Sequence, residues 1–310
     1  MPPAGNGVIG GHLPVMAGEV EEFLQPGPGR VMVDCTLGEG GHAARLLPRL
    51  MPGGLLIGMD RDVSVLEAAR RKLADYGDSV RIERANYTDL PRVLGEAGIE
   101  AVDGVLFDLG VNSAQLDNPE RGFSFLRDGP LDMRMDRDAG RPAADLVNRL
   151  GRRELEWLIR RYGEERFAGR ISRRIVEERG KSPILTTGRL AAIVSRAIGK
   201  RSRIHPATRT FQALRLAVNE ELENLDRSLD RSLEMLRPGG RICLIAFHSL
   251  EDRIVKHTFR RWERENRVRV LTGKPVRPRE EEIRRNPRAR SARLRAAERL
   301  ITIGSVCSPG

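Results

Sequence analysis

Three carboxylates and one glycine-rich segment are the residues whose types and spacing indicate ligand chemistry. Asp34 ends an apolar run and opens the segment Asp34-Cys35-Thr36-Leu37-Gly38-Glu39-Gly40-Gly41-His42, which leads into a helical pattern. Glycines let a backbone turn sharply and approach a ligand, and a helix N-terminus offers unpaired N–H groups. Asp60 ends the next apolar run, where a carboxylate can accept hydrogen bonds from a ribose. Together these features predict a cofactor that contains a nucleoside.

The identity of the nucleoside stays open on the glycines alone, because Gly38, Gly40 and Ala43 also satisfy the dinucleotide fingerprint with alanine in its last place. Two carboxylates favour S-adenosylmethionine over NAD. Asp34 could meet the methionine ammonium group, and Asp108 ends the fourth apolar run, where adenine and the reacting methyl group would lie. A hydride-transfer enzyme needs neither carboxylate.

The elements that must position these residues alternate along the chain. Apolar runs suited to buried strands occur at 31–35, 55–59, 80–82, 102–109 and 242–247. Helical periodicity fills the intervals between the first four runs, which is typical of βα units. The pattern predicts a doubly wound, Rossmann-like α/β sheet.

Residues 118–209 break this alternation, because they contain several arginine-rich helical patterns and no clear strand. We therefore expect an inserted helical domain at 118–209, a discontinuous cofactor domain at 12–117 and 210–304, and a disordered N-terminus at 1–11. One long helix is predicted over 208–236, ended by Pro238-Gly239-Gly240. A helix over 250–262, capped by Ser249 with Asp252, and a final antiparallel pair at 267–271 and 294–303 complete the prediction.

Composition excludes several classes of protein. The chain has 310 residues, 40% of them hydrophobic and 31% charged, which rules out collagen, a coiled coil and wholesale disorder. The longest apolar stretch, at 242–247, is far too short to span a membrane, and the three cysteines and five histidines show no metal-ligand spacing. We expect a cytoplasmic protein with no metal and no membrane contact.

The positive charge is concentrated in two segments. Net charge is +11, and residues 118–209 contain 22 Lys and Arg against 12 Asp and Glu, while residues 264–299 contain 13 against 5. Segregated basic surface suits a polyanion, because each neutralised phosphate releases counterions. The segregation favours a nucleic-acid partner.

Nine motifs between His12 and about Arg299 resemble, in the same order, blocks of the bacterial ribosomal RNA small subunit methyltransferase H family. They are TLGEGGH at 36–42, DLGV at 108–111, QLD at 115–117, GFSF at 122–125, DGPLDMRM at 128–135, YGEER at 162–166, HPATRTFQ at 205–212, FHSLEDR at 247–253 and NPRARS at 286–291. The resemblance implies a class I methyltransferase sheet that uses S-adenosyl-L-methionine to methylate the exocyclic N4 of one cytidine in the decoding region of 16S rRNA. It further suggests rRNA within the small ribosomal subunit as the partner, with a homodimer as an option.

Position by position, the resemblance implies a set of cofactor contacts in this chain. They are Gly40, Gly41, His42, Asp60, Tyr87, Asp108 and Gln115. The family usually has VSSPQ after the fourth strand, whereas this chain has Val111-Asn112-Ser113-Ala114-Gln115. This departure puts a serine-specific role at position 112 in doubt, although asparagine keeps a hydrogen-bonding oxygen.

Methylation of cytosine would need an acceptor for the proton that the amine loses, together with in-line placement of the two reactants. We expect the loop 108–113 to supply the acceptor through a backbone carbonyl, Asp108, Asn112 or Ser113. His248, at the end of the fifth strand, is a second candidate, but we favour a structural role for it beside the helix cap. The inserted domain is expected to hold RNA through its arginines. These are Arg160, Arg161, Arg166, Arg170, Arg173 and Arg174.

Two other functions remain as alternatives. A DNA amino-methyltransferase would typically carry an acidic or polar residue, two prolines and an aromatic after the fourth strand, and this chain has Asp108-Leu109-Gly110 there. A non-catalytic, RNA-binding ribosome-assembly factor would not need the intact carboxylates Asp34, Asp60 and Asp108. Both are therefore disfavoured.

Overall fold

The computed structural model describes residues 14–199 and 204–301, so the disorder expected at residues 1–11 lies outside the described residues. The chain divides into two compact units. The first, here called the sheet unit, comprises the described residues up to Asp60, Ser64–Gly110 and the residues from Ser228 onward. The second, the helical unit, comprises Arg61–Val63 and Val111–Arg227.

The sheet unit contains one sheet of seven strands in the described chain, in the order β3-β2-β1-β4-β5-β7-β6. The strands are β1 Val31–Asp34, β2 Leu55–Asp60, β3 Val80–Arg84, β4 Val102–Asp108, β5 Leu236–Ala246, β6 Val268–Val270 and β7 Arg293–Arg299. The first five are parallel, and β7 runs antiparallel to both β5 and β6. The predicted doubly wound α/β sheet is confirmed, and so is the existence of a final antiparallel pair, although β7 ends at Arg299 and residues 302–303 of the predicted strand lie outside the described residues.

Thirteen α-helices accompany the strands in the described part of the chain. They are α1 Ala17–Leu24, α2 Gly41–Leu50, α3 Val63–Lys72, α4 Leu90–Glu96, α5 Ser113–Asp117, α6 Ala143–Arg149, α7 Arg152–Gly163, α8 Ala168–Arg179, α9 Thr187–Ile198, α10 Thr208–Asn219, α11 Glu221–Met235, α12 Ser249–Arg264 and α13 Glu280–Arg285. None of them is both long enough and apolar enough to cross a membrane.

The central strands are apolar on both faces because helices cover both faces of a parallel sheet. Met32, Leu56 and Leu106 are fully buried, and they share one core with Leu46 and Leu50 of α2. Because β1, β2 and β4 are parallel, the residues that follow these strands lie at the same edge of the sheet, next to this core.

The helical unit has a core of its own. On α7, Leu155, Leu158 and Ile159 are buried while the arginines on either side of them, at 152, 153, 160 and 161, are exposed, as an amphipathic helix of period 3.6 requires. Ile171 of α8 and Leu214 of α10 belong to the same apolar cluster. The arginine-rich segment is thus a packed helical body, as predicted.

The predicted single helix over 208–236 is wrong. Glu220 adopts a left-handed conformation, with φ 49° and ψ 39°, and divides the segment into α10 and α11. Glutamate is a good helix former, so no local signal announces the break. The side chain of Asn219 instead accepts from the backbone N–H of Met135 and donates to the carbonyl of Met133, which holds the end of α10.

Two further details differ from the prediction. Pro238-Gly239-Gly240 does not end a helix by itself, because β5 begins at Leu236 and the three residues lie in a register shift between the pairs of β4 and β5. The cap of α12 is His248, whose ring accepts from the N–H of Glu251, and not Ser249.

The boundaries of the units also differ from the predicted insertion at 118–209. The helical unit extends from Val111 to Arg227, because Phe211 and Leu214 of α10 lie in its core. Tyr162 of α7 also donates to Glu223 of α11 at 2.6 Å. The charge composition of the sequence located the basic segment, but the boundaries of the helical unit are set by apolar packing.

Candidate cofactor and catalytic site

Three carboxylates end three neighbouring strands of the sheet. Asp34 is the last residue of β1, Asp60 of β2 and Asp108 of β4, and β1 lies between the other two strands. The strand order reverses direction between β1 and β4, which is the switch point where open α/β sheets bind their ligands. The sheet therefore gathers the predicted carboxylates at one edge.

The glycine-rich segment forms a tight turn between β1 and α2. Gly38 and Gly40 have left-handed backbone angles, with φ 51° and 76°, and Gly40 precedes the first residue of α2. A Cβ at Gly40 would lie 3.2 Å from the side chain of Leu73. The N–H of Gly38 donates to Oδ2 of Asp60 at 2.9 Å, so the turn is fastened to the end of β2.

Asp34 is a buried carboxylate with incomplete hydrogen bonding. Its Oδ1 accepts from the backbone N–H of Thr36 at 3.1 Å, and its buried Oδ2 has no hydrogen-bond partner among residues 14–199 and 204–301. Burial raises the pKa of Asp34 to about 6, although the nearby His42 and the Thr36 N–H act in the opposite direction. The side chain is held in a position where a cation would stabilise it.

Asp108 and His42 form a second charged group beside Asp34. His42 Nε2 lies 3.4 Å from Asp108 Oδ2, which is an ion-pair distance longer than that of an ordinary charge-assisted hydrogen bond. Burial lowers the pKa of His42, but the contact with Asp108 and the charges of Asp108 and Asp34 outweigh it, so the net shift is upward. The N–H of Asp108 donates to Thr36 Oγ1 at 2.6 Å.

The arrangement fits a ligand that carries positive charge. Oδ1 of Asp108, like Oδ2 of Asp34, is buried and has no hydrogen-bond partner within the described chain. Buried polar atoms without partners are rare in folded proteins, and in a cleft they point to a ligand. No cluster of His, Cys, Asp and Glu among the described residues could hold a metal ion.

Tyr87 lies three residues after the end of β3, in a single 3₁₀ turn over Tyr87–Asp89. Its ring packs edge-to-face on Phe107 of β4, with ring centroids 5.6 Å apart and planes at 70°. Phe107 is fully buried, so the orientation of the tyrosine ring is set by the sheet. An aromatic ring fixed in this way is a suitable surface for a planar base.

The other predicted site residues belong to the helical unit. Asn112 caps α5, where its Oδ1 accepts from the N–H of Gln115 at 2.9 Å, and Oε1 of Gln115 accepts from the N–H of Asn112 at 3.2 Å. Nε2 of Gln115 donates to Oδ2 of Asp62 at 2.7 Å. Ser113 is the first residue of α5. Gln115 is buried, and both ends of its side chain are engaged inside the helical unit.

His248 has a structural position, in agreement with the interpretation that the sequence favoured. Nδ1 accepts from the N–H of Glu251 at 3.3 Å, and Nε2 lies 3.1 Å from Oε1 of the same residue. The histidine and Glu251 form a reciprocal cap for α12.

Five of the six arginines predicted to bind RNA have a partner within four residues of them along the chain. Arg160 pairs with Glu156 at 2.9 Å, and Arg174 with Glu178 at 3.1 Å. Arg173 lies 3.8 Å from Glu177, and the guanidinium groups of Arg166 and Arg170 lie over the ring of Phe167.

One face of α7 is less engaged. It contains Arg161, which the sequence predicted as an RNA contact, together with Arg153 and Trp157, for which the sequence predicted no RNA contact. Trp157 is 58% exposed, and Arg153 and Arg161 lie four residues before and after it on the same helix. Neither arginine is within ion-pair distance of an acidic group in the described chain. The helical spacing of 153, 157 and 161 was the available signal.

Sequence reasoning also missed Thr36, Asp62 and Arg121. Arg121 donates to Asp62 at 2.7 Å across 59 positions of the chain, and both side chains are buried. No periodicity or motif connects residues so far apart, so only the folded chain reveals the pair.

Comparison with known proteins gives consistent results along nearly the whole chain. Residues 10–300 match the model of the MraW methylase family. A protein of Pelobacter propionicus named Ribosomal RNA small subunit methyltransferase H is 54% identical over 308 residues, which cover 93% of this chain and 98% of that protein. Proteins of the same name from Geobacter sulfurreducens and Syntrophotalea carbinolica are 52% and 51% identical over 307 residues, covering 93% of this chain and 99% and 98% of those proteins.

The raised pKa of Asp34 predicts how the stability of the protein depends on pH. A carboxyl group whose pKa is higher in the folded state contributes stability below its unfolded value of 3.8, and that contribution is lost as pH rises through about 6. We expect Asp34→Asn to be more stable than the parent at pH 7.5, by on the order of 3 kcal/mol or less. The difference should shrink as the pH approaches 4.

Urea unfolding at a series of pH values measures this difference. The amide oxygen introduced by Asp34→Asn can still accept from the N–H of Thr36, so that hydrogen bond does not confound the comparison. A stability difference that stays constant from pH 4 to pH 7.5 would contradict the role of burial at Asp34.

Proposed function

The chain belongs to the MraW methylase family, and we propose that it transfers the methyl group of S-adenosylmethionine to the exocyclic N4 of one cytidine in the decoding region of 16S rRNA. Relatives named Ribosomal RNA small subunit methyltransferase H, about half identical along nearly their whole length, support methylation of small-subunit rRNA. The observation that carries the proposal is the pair of buried carboxylate oxygens, on Asp34 and Asp108, that lack partners in the described chain.

The sheet unit holds the cofactor in this proposal. Asp34 binds the ammonium group, Asp60 the ribose hydroxyls, and the ring of Tyr87 packs on the adenine. The backbone of Gly38, Gly40, Gly41 and His42 approaches the methionine part of the cofactor, since glycines leave room for close approach. When bound, S-adenosylmethionine supplies an electrophilic methyl group on a sulfonium.

The catalytic task of the protein is to orient the cytosine amine and to accept its proton. The nitrogen lone pair is conjugated into the ring, so the amine is a weak nucleophile and in-line placement supplies much of the rate. A nitrogen–carbon bond forms, a sulfur–carbon bond breaks, and one proton leaves the nitrogen. Asp108, Asn112 and Ser113 are the candidate acceptors, and Asp108 is favoured because its buried Oδ1 has no partner among the described residues.

The helical unit holds the RNA in this proposal, through the exposed face of α7. Arg153 and Arg161 offer charges that no described carboxylate neutralises, and Trp157 between them offers a flat surface on which an unpaired base can stack. The intrahelical ion pairs of Arg160 and Arg174 reduce what those arginines can give to phosphate. We further propose action on rRNA in the small subunit, in the cytoplasm, with the homodimer left as an option.

Methyl transfer and its product test the proposal directly. Purified protein is incubated with labelled S-adenosylmethionine and either small ribosomal subunits or free 16S rRNA from cells that lack the modification, and the nucleosides are then separated. We expect label in N4-methylcytidine alone. Label in another nucleoside would overturn the N4 assignment, and equal transfer to DNA would favour the DNA amino-methyltransferase. Cofactor binding without any transfer would favour the assembly factor.

Binding of the cofactor should depend on the ionisation of Asp34. Because its pKa is about 6 and a cationic ligand prefers the ionised carboxylate, the affinity for S-adenosylmethionine should rise as the pH rises from 5 to 7. Three neighbouring charges also act on this pKa: His42 lowers it, and Asp108 and Asp60 raise it. Calorimetric titration of Asp34→Asn should give at least tenfold weaker binding and a flatter pH dependence. Parent-like affinity in this variant would remove Asp34 from the site.

The RNA surface predicts a separable defect. Arg153→Glu and Trp157→Ala should each weaken rRNA binding several-fold, and the charge reversal should also reduce the salt dependence of binding by about one unit of logarithmic slope. Affinity for S-adenosylmethionine should not change. Arg92→Glu on α4 is a matched control, since Arg92 is exposed and lies in the sheet unit. If the α7 variants bind rRNA like this control, RNA does not use that face.

A further inference from the structure

Asp62 and Arg121 form a buried ion pair that the proposed cofactor site and RNA surface leave unexplained. The two side chains are 3% and 5% exposed, and Nη1 of Arg121 lies 2.7 Å from Oδ2 of Asp62. Removing two charges from water costs several kcal/mol each, and apolar residues of similar volume often give equal or greater stability. A buried pair is therefore weak evidence for a purely stabilising role, and the question is what it holds.

The carboxylate of Asp62 is connected to the loop that carries the candidate proton acceptors. The same Oδ2 accepts a second hydrogen bond, at 2.7 Å, from Nε2 of Gln115. The other end of that side chain accepts from the N–H of Asn112, whose own side chain accepts from the N–H of Gln115. Asp62 thus holds the donor end of an amide whose oxygen end accepts from Asn112, and the amide fixes the first turn of α5.

Arg121 is fixed from its other side by backbone. Its Nη2 donates to the carbonyls of Arg134 and Met135, at 3.0 and 3.1 Å, and its own carbonyl accepts from the N–H of Met133. Residues 133–135 are held in turn by Asn219 at the end of α10, whose side-chain oxygen accepts from the N–H of Met135. The guanidinium group therefore connects Asp62 to the helical scaffold.

Both ends of this network lie close along the chain to residues of the proposed site. Asp62 is two residues after Asp60, and Arg61–Val63, which follow β2 and include the first residue of α3, belong to the helical unit. Asn112 is four residues after Asp108, just beyond the chain crossing at Gly110 and Val111. Asp62, Arg121 and Gln115 thus hold the segment that begins at Asn112, four residues after the end of β4.

We propose that Asp62 and Arg121 are positioning residues for methyl transfer, which act through Gln115 on the loop of Asn112 and Ser113. The inference rests on the proposed function of that loop as the place where the amine is oriented and its proton accepted. A misplacement of about 1 Å in such a loop can lower a rate about a hundredfold, although no reacting atom is touched. The charge of Asp62 matters because it balances the buried guanidinium of Arg121, while the same oxygen also accepts from Gln115.

Three variants separate positioning from stability. Asp62→Asn removes the charge and leaves one acceptor oxygen. Asp62→Leu combined with Arg121→Met replaces the pair by apolar side chains without leaving a buried charge, and its melting temperature, measured beside that of the parent, reports the cost of the carbonyls and the amide that lose their partners. Glu221→Gln is the matched control, because it breaks the ion pair with Arg215, at 2.8 Å, elsewhere in the helical unit.

Steady-state methyl transfer should show the defect in kcat. We expect Asp62→Asn and the apolar double variant to lower kcat ten- to a hundredfold with KM for S-adenosylmethionine changed less than threefold, and Glu221→Gln to keep kcat within about twofold. An apolar double variant that folds and retains the parent kcat would overturn the proposal. So would a loss of kcat in all variants in proportion to their loss of stability.

A double-mutant cycle tests whether Asp62 acts through Gln115. Asp62→Asn with Gln115→Leu should be no slower than Gln115→Leu alone, because the second change removes what the first would disturb. If the rate loss of the double variant equals the product of the two single losses, the residues act independently, and Asp62 does not act through Gln115.

Amide hydrogen exchange keeps the inference testable apart from the proposed function. Exchange at residues 113–118 should become at least tenfold faster in Asp62→Asn and stay unchanged in Glu221→Gln. If the parent transfers no methyl group to rRNA, the proposed function fails while this measurement still decides whether Asp62 holds α5. Unchanged exchange would overturn the positioning role.

Discussion

The cost of taking carboxylates out of water governs the sheet edge of this protein. Asp34 and Asp108 end neighbouring strands that helices bury on both faces, so each enters a region of low dielectric where an ionised group needs a positive partner. His42 offers part of that charge, and one oxygen of each carboxylate still lacks a partner in the described chain. The raised pKa of Asp34 follows from this burial. The edge is therefore electrostatically suited to a cation.

The helical unit uses charge in two different ways. On α7 and α8, arginines pair with glutamates three or four residues away, and such exposed pairs contribute at most about 1 kcal/mol each. Inside the unit, Asp62 and Arg121 form a pair that water does not reach, connected to backbone and to Gln115. Because the exposed pairs are weak, these arginines can exchange one partner for another at little cost. The buried pair fixes one geometry of the residues that it connects.

Local patterns predicted much of the fold because strands and helices bury one face at a fixed period. The five apolar runs became strands of a parallel sheet, and residues at their ends became the ends of those strands. The same reasoning failed at Glu220 and at the cap of α12. Glutamate favours helix, yet the contacts of Asn219 end α10. Serine favours caps, yet His248 and Glu251 supply them.

By itself the sequence determined the sheet class, the glycine turn, the carboxylates at the strand ends and the helical nature of the basic segment, because each of these follows from composition and spacing within about 20 residues. Tertiary structure alone decided which charges meet. His42 contacts Asp108, Asp62 contacts Arg121 and Gln115, and the arginines of α8 turn to their own helix. Contacts between distant residues arise from packing, which leaves no periodic trace in the chain.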